Sequence, residues 1–153
     1  GFSIEFWLKL DQTLAGQVLL DSRNEKGKGI VIVTSEHGAI RIDLNEGKNT
    51  GGWDCGAGLI QSDRWHHVVI IVDGGPKIIS FVVDGMLCDG GMRRDFGWGR
   101  FSKDIDDVNG SRELKIAPSL KGRLKLVRLY DRYLRTSEAI GNFQAGKSKI
   151  AVK

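Results

Sequence analysis

Along the first ten residues, apolar and polar side chains alternate. Phe2, Ile4, Phe6, Leu8 and Leu10 fall on one parity, and Ser3, Glu5, Trp7 and Lys9 on the other. A period of two predicts a half-buried strand. Further strands are predicted in "GQVLLDS" and in "GIVIVTS" and "AIRIDLN", which flank a hairpin turn at Glu36-His37-Gly38. In the last of these, Ile40, Ile42 and Leu44 share one face, and Arg41 and Asp43 the other. "WHHVVIIVD" and "KIISFVVDG" flank Gly74-Gly75-Pro76, a strong turn signal. Asp84-Gly85 turns the chain again into "MLC", and "RELKIA" and "GRLKLVRLYD" add two strands near the end. Only Ser137 to Gln144 reads as a helix, with Thr136 or Ser137 as its cap and Glu138 placed to suit the helix dipole.

About nine strands with frequent turns and one short helix predict an all-β, two-sheet antiparallel β-sandwich. Residues 1–153 read as a single domain with no internal repeat, a length that suits one core. Glycine occurs 21 times, about twice its usual share, which agrees with many tight turns. The stretch from Asp89 to Ser111 is the longest without periodicity, and such loops often carry function. No apolar run approaches the roughly 18 residues of a membrane helix, so no membrane insertion is expected. The net charge of +4 is spread among acids rather than concentrated, which argues against nucleic acid as a partner. The chain begins with Gly1 directly before a strand, as expected of a piece cut from a larger protein.

Three blocks carry a family resemblance: "FSIEFWLKL", "RWHHVVIIVDGGPKIISFVVDGMLCDGG" and "LKGRLKLVRLYDRYLRTSEAIGNFQAG". In that order they resemble the laminin-G-like, concanavalin A-like jelly-roll domains, in particular bacterial modules appended to secreted enzymes. The resemblance implies a jelly roll and a non-catalytic accessory module that binds a polysaccharide or other glycan. It also implies an extracellular, periplasmic or cell-surface location and a neighbouring domain in the same polypeptide. A common fold hosts many activities, so two alternatives stand beside this reading. One is a structural or protein-contact module that stabilises a catalytic neighbour. The other is a glycosidase or lyase.

The residues themselves weigh on these classes. Neighbouring strand residues point to opposite faces, so His66 and His67 cannot serve one metal from one face. One is expected in the core and the other on the outer face. Glycan hydrolysis needs two acids presented together. Here Glu5, Asp21 and Asp43 stand alone on their strands, Asp106 and Asp107 are adjacent and diverge if extended, and no Gly-x-Ser-x-Gly nucleophile appears. No catalytic residue is therefore assigned.

Cys55 and Cys88, the only cysteines, are expected to form one disulfide at a rim of the sandwich, the alternative being two separate buried thiols. The resemblance allows a structural Ca²⁺, but Lys125 stands where its members often place an acid. The oxygen-rich group Asp104, Asp106, Asp107 and Asn109 lacks EF-hand spacing, so no ligand set follows. Glycan contacts are expected from two glycine-rich stretches. "GGWDCG" offers Trp53 and Asp54 in a glycine-rich loop, and "RRDFGWGRF" offers Arg93, Arg94, Asp95, Phe96, Trp98, Arg100 and Phe101, of which Asp95, Trp98 and Arg100 are the expected contacts. An indole face can stack on sugar C–H groups while Asp or Arg bonds hydroxyls.

Overall fold

The computed structural model describes residues 1–151. Eleven strands form two antiparallel sheets. The six-stranded sheet contains β1 (Phe2–Leu10), β6 (Trp65–Asp73), β7 (Ile78–Val83), β8 (Met86–Leu87), β9 (Gly99–Arg100) and β11 (Gly122–Tyr130), in the order β11-β1-β6-β7-β8 with β9 beside β7. The five-stranded sheet contains β2 (Val18–Asp21), β3 (Gly29–Ser35), β4 (Ala39–Asn45), β5 (Thr50–Asp54) and β10 (Lys115–Ile116), in the order β10-β2-β3-β4-β5. The expected sandwich is present, and the one helix, α1 (Thr136–Ala151), follows the last strand.

The two-residue period does the work the sequence assigned to it. Ile4, Phe6, Leu8 and Leu10 of β1 meet Ile32, Ile40, Ile42 and Leu44 of the facing sheet, with Val68, Ile70, Ile79 and Phe81 completing the core. Burying side chains of this size contributes about 1.5–3 kcal/mol each, which fixes the register of every strand involved. The other face of the six-stranded sheet is covered too. Val69, Ile71 and Val82 pack under Leu134 and Ala139, forming a second, smaller core beneath α1.

Turn chemistry sets the hairpins. Asp84 and Gly85 both adopt left-handed φ, 51° and 76°, between the paired residues Val83 and Met86. This is the two-residue turn whose twist matches the flanking strands. A side chain at Gly85 would run into the Phe143 ring of α1. The turn thus sits where the helix docks.

Three local expectations are corrected. The "GGWD" of the expected glycine-rich loop "GGWDCG" belongs instead to β5, an edge strand paired with β4 from Arg41–Asp54 to Asn45–Thr50. Glycine depresses strand propensity, and here pairing overrides it. The helix runs well past Gln144 to Ala151, because Gly146 lies on the Trp7 indole and Ile150 is buried. Neither Thr136 nor Ser137 caps it. The Ala139 N–H donates to the Arg135 carbonyl, and Glu138 reaches back to accept the Arg135 N–H at 2.8 Å. Arg135 is therefore the cap residue, and Glu138 forms the return half of a capping box.

Candidate functional site: a rim cleft between the sheets

The adjacent histidines divide as the strand period requires. His66 sits with the inward parity of β6, and its Nδ1 lies 2.7 Å from Asp84 Oδ2. Its Nε2 accepts the Gln61 N–H at 3.1 Å, so Nδ1 carries the proton that is donated to Asp84. Asp84 also accepts the His67 N–H at 2.8 Å. His67 points outward beneath α1, with Nε2 3.0 Å from Glu5 Oε1. Both imidazoles are buried and serve as wall.

Glu5 is the most heavily engaged carboxylate in the molecule. Arg128 donates to Oε1 at 3.0 Å, while Tyr130 Oη–H at 2.7 Å and Asn142 Nδ2 at 2.9 Å donate to Oε2. Burial alone would push its pKa up. The hydrogen bonds from His67 and Tyr130, with the charges of His67 and Arg128, outweigh burial and hold it down at about 2. A saturated carboxylate of this kind secures the helix to the sheet and is not free for acid–base chemistry.

Open space lies at one rim. A cleft of about 960 Å³ is bounded by the β3–β4 turn at His37, the β5–β6 loop through Asp54 and Leu59, and the loop after β8 through Asp89 and Arg94. Three of the four acids lining this cleft have internal partners, and the fourth, Glu36, stands exposed on the β3–β4 turn with His37 Nε2 4.0 Å away. Asp54 meets Arg94 at 3.1 Å and accepts the Gly56 N–H at 2.8 Å. Asp84 is held by the two histidines, and Asp89 accepts the Gly91 N–H at 2.9 Å. The Arg93 side chain enters the lining from the exposed loop.

The residues expected to touch a ligand divide into two groups. Trp53 is half-buried and plugs the sandwich beneath the cleft. Its Nε1–H donates to the Gly97 carbonyl at 3.0 Å, and the Arg94 guanidinium stacks 4.2 Å from its ring centre. Gly99 of β9 approaches the ring so closely that any Cβ would overlap it. Trp53 therefore supports the site from below, and Asp54 positions Arg94. Trp98 behaves differently. It is 39% exposed, with Phe96 57% exposed beside it, ring centres 5.0 Å apart and 31° between planes. Arg100 lies 6.0 Å over the Trp98 ring, and Asp95 is exposed on the same loop. The structure thus brings Trp53 and Asp54 together with Arg94 at the cleft floor, and sets Trp98, Phe96 and Arg100 on the outer flank of the same loop.

The expected disulfide is corrected. Cys55, just after β5, and Cys88, just after β8, are free thiols, both buried, and both line the cleft. Burial pushes them up to about 11 and about 12 respectively, so neither ionises readily to a thiolate. Cys55 Sγ instead accepts the Ile40 N–H at 3.2 Å.

The oxygen-rich group after β9 does not suit a cation. Asp106 turns to Lys77 at 2.6 Å and Asp107 to Lys28 at 2.8 Å, so the two carboxylates diverge and each carries its own ammonium. Among the described residues, no three His, Cys, Asp or Glu side chains converge on a common point.

Sequence reasoning offered Arg94 among the polar neighbours of Trp98 but did not foresee its place on Trp53, and it missed Arg41. Arg41 borders both the rim cleft and a shallower depression of about 430 Å³ on the outside of the five-stranded sheet. There it bonds Asp43 at 2.8 Å, and Arg23 bonds Asp21 at 2.8 Å. The alternation along β4 signals that Arg41 and Asp43 share a face. It does not reveal which strands lie beside them.

Residues 1–140 match the family model of the concanavalin A-like lectin/glucanases superfamily, and the chain belongs to that family. Among solved structures, it is similar to the CBM40 of Ruminococcus gnavus IT-sialidase bound to α2,3-sialyllactose. The two share 15% identity and a TM-score of 0.67, over 93% of this chain and 82% of that one. A structure of botulinum neurotoxin type C, a toxin whose cell entry is described as dependent upon interaction with two ganglioside molecules, shares 14% identity and a TM-score of 0.68, over 94% of this chain and 35% of that one. A SAP-like pentraxin from Limulus polyphemus shares 14% identity and a TM-score of 0.57, over 91% of this chain and 67% of that one. These likenesses establish the fold. No curated protein matches the chain by sequence.

Proposed function

We propose that this chain is a non-catalytic carbohydrate-binding module that captures a glycan at the rim, and that it serves as an accessory domain of a larger secreted enzyme. The observation that carries the reading is the exposed Trp98–Phe96 ring pair a few residues along the chain from Arg94, which lines a roomy cleft. Aromatic faces and a few fixed polar groups are the usual means of holding a sugar. Supporting it, the solved structures of similar fold include one bound to sialyllactose and one of a toxin whose cell entry is described as dependent upon gangliosides. Asp54, Asp84 and Asp89 already have internal partners, which leaves Glu36 as a lone exposed acid at the cleft and no free pair for glycosidase chemistry.

The test is binding of the whole chain to a glycan panel, compared with Trp98→Ala. Saturable binding by the native chain and loss of about ten-fold or more in the variant, with an unchanged melting curve, support the reading. Glycan turnover, or the absence of any glycan whose binding depends on Trp98, overturns it.

A second reading, a protein-contact module, is favoured by one feature. The outer edge of β11 is unpaired and exposes Leu126 and Leu129, with Tyr133 just beyond. Failure to bind any glycan together with tight docking to a neighbouring domain would select it.

A further inference from the structure

The outer face of the six-stranded sheet carries a feature unrelated to the rim. Strand register places Lys9 of β1 between Trp65 of β6 and Arg123 of β11. One step back along β1, Trp7 lies opposite Lys125 of β11. A bulge between Glu5 and Trp7, with Leu126 at a φ of 52°, keeps Lys125 and Arg128 on this same outer face. Lys125 reaches across β1 until its Nζ lies 4.8 Å from the centre of the Trp65 ring. Three cations and an indole thus share one small area.

The helix adds to it. Its contacts step along β1 in order: the Leu134 N–H just before it meets Ser3, Asn142 meets Glu5, and Gly146 meets Trp7. From Asn142 to Gly146 four helical residues rise about 6 Å, and from Glu5 to Trp7 two strand residues rise about 6.6 Å, so over this turn the two elements keep pace. The next helical turn carries the buried Ile150 toward the level of Lys9, with exposed Lys147 and Lys149 on either side of it. Among the described residues, Lys9, Arg123, Lys125, Lys147 and Lys149 form no ion pair. On the same face Glu5, buried and already paired with Arg128, precedes Trp7, and Asp11 and Asp63 are exposed beyond the strand ends. Like charges gathered without partners repel one another, and an anion relieves that.

We infer that this strip is a second binding surface, for a linear anionic polysaccharide. Shape selects the partner. An α-helix about 10 Å thick stands on the sheet beside the strip, so the floor is recessed. A single chain can lie along it, whereas a flat bilayer or a double helix meets the helix first. Cross-strand neighbours stand about 5 Å apart and next-but-one strand residues about 7 Å. Carboxylate or sulfate groups on successive sugars can address such spacings, and the Trp65 edge offers an apolar contact for a sugar ring. The surface is independent of the rim, so the two stand or fall separately.

The test uses the whole chain with chondroitin sulfate, polygalacturonate and neutral dextran, at about 50 and 200 mM salt. The native chain is expected to bind both acidic polymers, more weakly at the higher salt, and dextran not at this surface. The triple variant Lys9→Gln, Arg123→Gln, Lys125→Gln is expected to lose about ten-fold or more of that affinity and much of the salt dependence. Trp98→Ala is expected to keep both, which separates this surface from the rim. Equal binding by native and triple variant overturns the inference. So does absence of polysaccharide binding, or a preference for polyuridylate or phosphatidylserine vesicles. If the triple variant does not fold, Lys125→Gln alone still serves: about two- to three-fold weaker binding and altered Trp65 fluorescence are expected, and unchanged binding refutes the inference.

Discussion

His67 Nε2 lies 3.0 Å from Glu5 Oε1, both side chains are out of contact with solvent, and each faces α1 rather than the rim cleft. The pair joins the two central strands of the six-stranded sheet and, through Asn142, the helix. The histidine doublet therefore reports on architecture. His67 Nδ1 has no hydrogen-bond partner, which is a cost that the surrounding network and the contacts with Trp7 and Phe143 offset.

Replacing Glu5 with Gln removes the negative charge while leaving Arg128, Tyr130 and Asn142 in place. Breaking a buried charged network typically costs about 3–5 kcal/mol. Arg128 is half-exposed and can turn to water, so the lower end, about 3 kcal/mol, is expected. Urea denaturation of the variant against the native chain measures it.

Acid should loosen the molecule through the same residue. The folded pKa of Glu5 lies near 2, below its ordinary value of 4.5. The unfolded chain thus binds the proton more readily in that window. Stability from this group is fully present above about pH 5 and falls as pH drops from there toward 2. Chemical denaturation between pH 6 and pH 3 should show the decline, and Glu5→Gln should flatten it.

The two cysteines should resist a thiol reagent in the native state. At neutral pH, iodoacetamide is expected to modify neither Cys55 nor Cys88 until denaturant is added, since both are buried with raised pKa values. A reductant should leave the melting temperature unchanged. A mass two hydrogens short of the reduced chain would show instead that the pair is linked.

Gly99 should not tolerate even one methyl group. A Cβ there would overlap the Trp53 ring, and overpacking of this kind costs about 1–3 kcal/mol. Gly99→Ala is expected to lower the melting temperature and shift Trp53 fluorescence as the ring moves off Arg94. Equal melting curves would show that the ring can give way.

The sandwich was legible because burial imposes a period. The alternation in β1 and β4 and the apolar runs of β6 and β7 can be satisfied only by strands with an apolar face turned inward, and each lies where the pattern put it. The same rule separated His66 from His67. The site was less legible. Trp53 and Trp98 look alike in sequence, each beside glycine. Yet one is capped by Arg94 and pressed on Gly99, while the other stands out beside Phe96.

That difference marks what the one-dimensional chain determines about this protein: which residues alternate, where it turns, and hence that two apolar faces must close on each other. Which strands become neighbours was left to the folded state, because register and crossover depend on side-chain fit between segments far apart in the chain. Tertiary structure alone paired Glu5 with Asn142, laid Arg94 on Trp53, and gathered Lys9, Arg123 and Lys125 around Trp65. Local spacing is a property of covalent geometry, whereas convergence is decided by packing.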